Sequence, residues 1–265
     1  MKIFEIFDEE NSLSIGALLY YEKSHTYIIE LCEKLDKWTA PLLFTRFIID
    51  KRYTIPRDVG LMWVKERVIP SGRQNLGSIL SNHRLKNYDE MKFLELSQGR
   101  CSQDSLCIRK IDVLPDYALK RAGKNLLDCV PLEEADILCF FADGTTKKVD
   151  LKKLKKHDDV QKVISNKALY QSCTLGTGGY YVTFNDSIDI GRDTLYNAGT
   201  TIPLSLSDLS LFVQRNVLDT TRACETLECS RQNLAYLVKQ DQLTPLQENL
   251  KGNIFLKGDV LRNSW

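Results

Sequence analysis

The stretch TTRACETLECSRQNLAYLVKQDQLTPL, residues 220–246, decides how the chain is read. Ala223 and Leu227 stand one helical turn apart, as on the first helix of a helix-turn-helix. Glu228 and Cys229 form the short connection, and Ser230 suits an N-cap, its hydroxyl accepting from an otherwise unpaired backbone N–H. Leu234, Leu237 and Val238 then make the inward stripe of a second helix. Gln232, Tyr236 and Lys239 lie away from that stripe, with Arg231 and Asn233 at the helix start. No carboxylate occurs from Cys229 to Gln240, although acids flank the segment at 225, 228 and 241. A helix with this distribution brings no acid toward phosphates and offers forked or amide side chains to base edges.

Beyond Pro245, residues 246–249 and 253–257 can pair around 250–252 as a β wing, with Asp259 capping a last helical turn. The run T-x-A-x-x-x-L-x-C-S-R-x-x-L-x-x-L-V-x-x-x-x-L-x-P, from Thr221 to Pro245, resembles the excisionase and MerR-type winged helix family. The resemblance implies that residues 230–240 are a recognition helix and that the wing contacts the backbone of double-stranded DNA. The DNA-binding set it implies is Ser230, Arg231, Gln232, Asn233, Tyr236, Lys239 and Lys251. The chain departs from the family twice. Asp241 stands where the family often has Gly, and the wing carries few cations, Lys251 and Lys257. A winged helix also serves purely as a protein-docking module, and that is the competing reading.

The texture changes upstream. Residues 135–141 form an apolar run, followed by Asp143-Gly144 and residues 145–151, the pattern of a hairpin closed by a type I′ turn. Residues 168–175 and 180–184 flank a second turn at 176–179, with a short helix expected over 192–197. TLGTGG, 174–179, leads into a strand and lacks a following Lys, so it reads as a hairpin turn and not a phosphate loop. FFADGTTKKVDL (140–151) and GGYYVTFNDSIDIGRDTLY (178–196) resemble a small uncharacterised bacterial domain found beside regulatory and toxin-antitoxin modules. That likeness implies a binding or regulatory role. Lys147, Lys148, Lys152, Lys153, Lys155 and Lys156 read as a solvated strand end and helix face, with a nucleic-acid clamp as the alternative.

Residues 1–112 read as mostly helical. After an apolar start at 3–7, Ile28, Leu31, Cys32 and Leu35 fall at helical spacing. Leu43, Phe44, Phe47 and Ile48 repeat it, and Pro56 suits the first turn of a third helix carrying Leu61, Val64 and Val68. Leu76, Ile79 and Leu80 mark a fourth helix, and Met91 and Leu94 a fifth that Gly99 stops. Residues 46–100 hold 11 basic against 6 acidic side chains, so Arg46, Arg52, Arg57, Arg67, Arg73 and Arg84 could line one face. WVKERVIPSGRQN, 63–75, is similar to the accessory part of HipA-like toxin kinases, but no kinase machinery follows it. Trp63 reads as core.

Composition bounds the rest. The 265 residues hold 36 basic and 35 acidic side chains, a formal charge of +1, which argues against binding nucleic acid by bulk charge. No stretch approaches the roughly 20 apolar residues of a membrane span, and the acidic start lacks a signal-peptide pattern, so a cytoplasmic location is expected. The eight Cys show no C-x-x-C pair and read as buried thiols. His25, His83 and His157 are far apart, no nucleophile has an adjacent base, and Asp186 and Asp189 read as turn caps. No enzyme, metal or cofactor is expected. The sequence therefore predicts a multidomain α+β protein: a helical N-terminal domain (1–112), a small two-hairpin α+β domain (113–200) and a C-terminal winged helix-turn-helix (206–265). Its expected role is a DNA-binding transcriptional regulator, antitoxin-like, with a protein partner or a second copy. The alternative is a non-enzymatic adaptor or inhibitor using the winged helix as a scaffold.

Overall fold

The computed structural model describes residues 1–154, 158–216, 219–227 and 229–240. The chain opens with a meander of three antiparallel strands, β1 (Lys2–Asp8), β2 (Leu13–Tyr21) and β3 (Thr26–Leu31). Helix α1 (Leu42–Ile49) follows, then a two-residue strand β4 (Thr54–Ile55) and helices α2 (Arg57–Lys65), α3 (Leu76–Asn82) and α4 (Glu90–Ser97). Strand β5 (Leu106–Ile111) returns to pair with β1, completing a sheet of order β4-β3-β2-β1-β5.

The expectation of a helical N-terminal domain is therefore overturned. The four helices from 42 to 97 lie near the predicted spacings, but residues 2–31 form three strands joined by turns. Spacing misled because β3 is buried along its whole length, and a strand covered on both faces loses the alternation that marks a half-exposed one. Alternation survives in what each side touches. Leu18, Tyr20, Tyr27, Ile29 and Leu31 face a core with Phe44, Trp63, Val64, Met91 and Leu94. Ala17, Leu19, Tyr21 and Ile28 face the opposite way, against Tyr180 and Tyr181.

Those two tyrosines belong to the next part of the chain. It begins with α5 (Asp116–Ala122), β6 (Leu126–Pro131), β7 (Asp136–Phe141) and β8 (Thr146–Asp150). It continues through α6 (Asp158–Ser165), α7 (Lys167–Gln171), β9 (Cys173–Leu175), β10 (Tyr181–Phe184), β11 (Ile188–Gly191), α8 (Arg192–Ala198) and β12 (Thr200–Ile202). The strands form two antiparallel sheets, β12-β8-β7-β6 and β11-β10-β9, around Leu126, Ile137, Phe141, Val149, Val163, Val182, Phe184 and Leu195.

Both expected hairpins are present, with two corrections: of the strand expected over 168–175 only Cys173–Leu175 is strand, since Lys167–Gln171 is α7, capped by Asn166, and the first turn is of another type. At the β7–β8 turn only Gly144 takes a positive φ (83°), and Phe141 N–H donates to the Thr145 carbonyl at 2.9 Å. A type I′ turn needs positive φ at Asp143 as well, so this is a turn that ends in a left-handed glycine. At the second turn Gly179 has φ 73°, and a Cβ there would lie 2.2 Å from the Leu126 carbonyl oxygen, so glycine is required twice over.

Three helices close the described chain: α9 (Leu206–Asn216), α10 (Thr220–Thr226) and α11 (Arg231–Lys239). The expected wing, with Lys251, lies outside the described residues.

Candidate nucleic-acid interface

Helices α10 and α11 cover the segment that the sequence reading assigns to a helix-turn-helix. Asp219 caps α10 by accepting from the Arg222 N–H at 2.8 Å. Ser230 caps α11 as the sequence predicts, its Oγ accepting from the Asn233 N–H at 3.2 Å. These caps satisfy donors that the first turn of a helix leaves open. Leu234 is buried and Leu237 and Val238 are half-buried, which fixes the rotation of α11.

That rotation leaves Arg231, Gln232, Asn233 and Lys239 exposed, and Tyr236 is 57% exposed. Gln232, Tyr236 and Lys239 recur at i, i+4 and i+7, one face of the helix. Six of the seven residues assigned from sequence thus sit together on the cap and outer side of one element, and Lys251 is not described. Nine residues at about 1.5 Å each span roughly 13 Å, close to the ~12 Å width of a major groove.

One neighbour was not legible in the pattern. Arg231 Nη2 donates to Thr221 Oγ1, 3.2 Å away on α10. An arginine carries five N–H donors in a rigid fork, so this bond aims the guanidinium and leaves the other donors for a ligand.

The strongest charge constellation elsewhere is internal. Glu30, 0% exposed, accepts from Arg192 Nη2 and from Arg121 Nε, each at 2.7 Å, and from the Thr54 hydroxyl at 3.1 Å. Arg192, 1% exposed, also donates to Thr54 Oγ1 at 2.8 Å and to Asn125 Oδ1, and its guanidinium stacks over Tyr180. Burial outweighs the two arginines and holds the Glu30 carboxyl above its usual range. The network joins the first sheet to the second part of the chain. Both terminal nitrogens of Arg192 and all three of Arg121 donate to other protein groups, while the buried Arg192 Nε has no partner among the described residues. It is a joint. Sequence pattern gave no sign of it, because its members are up to 162 residues apart.

The remaining sequence candidates are accounted for by the same geometry. Asp186 and Asp189 together grip Arg57, with Nη1 and Nε each 2.7 Å from a carboxylate, so they clamp two parts of the chain beyond any role in the turn. Arg67 is buried over the Trp63 ring and pairs with Asp104, and Arg46 pairs with Asp50. Three of the six arginines at 46–84, Arg46, Arg57 and Arg67, are thus taken up by carboxylates of the protein itself. Trp63 is core, as expected. Lys148 pairs with Asp136, and Lys147 donates to the Tyr196 carbonyl, while Lys155 and Lys156 lie outside the described residues. His25 contacts the Tyr20 hydroxyl through Nδ1 at 2.9 Å, and His157 is not described.

Among the described residues no three His, Cys, Asp or Glu side chains are grouped to hold a metal, and no helix is long and apolar enough to cross a membrane. Compared with protein-family models, with curated proteins and with solved structures, the chain matches none.

Proposed function

We propose that the protein is a cytoplasmic DNA-binding regulator that reads a duplex with α11. The observation that carries this reading is the outer side of that helix: Arg231, Gln232, Asn233, Tyr236 and Lys239 exposed together, on a capped helix without a carboxylate. The likeness of 221–245 to excisionase and MerR-type winged helices supports the same reading. With a formal charge of only +1, affinity rests on a few placed contacts and not on a broad cationic field. The front of the chain then serves a protein partner or a second copy, in an autoregulatory, antitoxin-like arrangement.

A mobility-shift assay with the gene's own upstream DNA, at two salt concentrations, tests this. Specific binding should survive excess random duplex, with a salt slope of roughly 0.9 per phosphate contacted. Arg231→Ala should cost about 1–3 kcal/mol, roughly five- to 150-fold in affinity. Equal affinity for Arg231→Ala, Lys239→Ala and the wild type would remove the mechanism. A second reading, a docking scaffold for protein, draws on Tyr236 and Leu227, 57% and 48% exposed on the same two helices. Exposed tyrosines are among the anchors that protein interfaces use. Under that reading Tyr236→Ala abolishes a protein complex while Arg231→Ala leaves it intact.

A further inference from the structure

Five of the eight cysteines are buried, and Cys101, Cys224 and Cys229 are half-buried. The Cys101 thiol is occupied by Asp104 Oδ1 at 3.6 Å. Cys224 and Cys229 have each other. The Cys229 N–H donates to the Cys224 carbonyl at 3.0 Å, a bond that spans five residues and closes the C-terminal end of α10. A helix closed in this way folds the residue after the turn back over the last turn, and an apolar pair usually fills the contact. Here that pair is two thiols. Burial, and then the neighbouring Cys229 thiol, push the Cys224 thiol up, in keeping with that closure of the backbone.

We infer that Cys224 and Cys229 form a dithiol modification site, which a hydroperoxide converts to a disulfide across the turn of the helix-turn-helix. A disulfide joins Cα atoms about 4.4–6.8 Å apart, a span that a backbone closed by that hydrogen bond keeps within reach. The Cys229 thiolate attacks the peroxide oxygen, giving a sulfenic acid and hydroxide, because the thiolate is the nucleophile and the Cys224 thiol is pushed up. The second thiol loses its proton, and its thiolate displaces hydroxide from the sulfenic sulfur. Two thiols and one hydrogen peroxide thus become one disulfide and two waters, the peroxide taking both electrons. The site stands whether or not α11 meets a duplex.

Trypsin cutting after Arg222 and Arg231 places both cysteines in one peptide, residues 223–231. The folded, reduced full-length chain is treated with a small excess of hydrogen peroxide, alkylated and digested. That peptide is expected to lose two hydrogens and escape alkylation, about tenfold faster than in concentrated urea, because folding holds the sulfurs together. Alkylation of both cysteines while others oxidise, or an equal rate in urea, overturns the inference. In Cys224→Ser the Cys229 sulfenic acid should persist and react with dimedone. Labelling no greater than in wild type also overturns it.

Discussion

Glu30 shows how much one side chain can decide. Its carboxylate is fully buried, and Arg192, Arg121 and Thr54 all spend donors on it. Removing one partner from such a group strands the rest in a medium that cannot solvate them. Glu30→Ala is therefore expected to cost about 3–5 kcal/mol, read as a lower urea midpoint. Loss of under ~1 kcal/mol would mean that water already reaches the joint. Asp8 makes the opposite electrostatic case. Burial alone would raise its pKa, but hydrogen bonds from Asn11, Ser105 and the Glu10 N–H outweigh it and hold the carboxyl below 3.8. Its folded pKa is the lower one, so its contribution is complete above its ordinary value of 3.8 and fades as pH falls through the depressed folded value. Asp8→Asn should destabilise the protein at pH 7 by about 1–3 kcal/mol, and the gap from wild type should shrink below pH 4. Urea titrations at pH 7 and pH 3 measure both.

At the scale of elements, caps and amphipathic stripes were legible and buried strands were not. Ser230 was readable as a cap because its chemistry is local, and Ser230→Ala should weaken α11 by about 1 kcal/mol. Faster amide exchange at Gln232 and Asn233, with β2 and β3 unchanged, is the expected sign, and unchanged exchange at both sites would discount the cap. Helices α1 to α4 were visible in their one-sided spacing, since each keeps a wet side. The β7–β8 hairpin was visible in Asp143-Gly144, although its turn type depends on φ values that composition does not fix. Strands β2 and β3 defeated the reading for a tertiary reason: one side meets helices and the other meets Tyr180 and Tyr181 from far down the chain. The exposed side of α11 was readable for the converse reason, that nothing distant among the described residues covers it. Thr221 as a rest for Arg231 depends on how two helices cross, and no spacing rule contains that.

For the whole molecule, the consequence concerns how it can be divided. The first sheet has its own core, yet its second side carries Ala17, Leu19, Tyr21 and Ile28 together with Glu30. A gene fragment stopping at Asp112 would bare that greasy wall with an orphaned anion in the middle of it. Such a fragment is expected to fall into inclusion bodies or to run as large aggregates on gel filtration. A fragment carried on through Ile202 retains Arg121, Tyr180, Tyr181, Arg192 and the Asp186–Asp189 grip on Arg57, and should elute as a discrete species. Anyone subcloning this chain should place the scissors after β12, beyond the last strand of the second part.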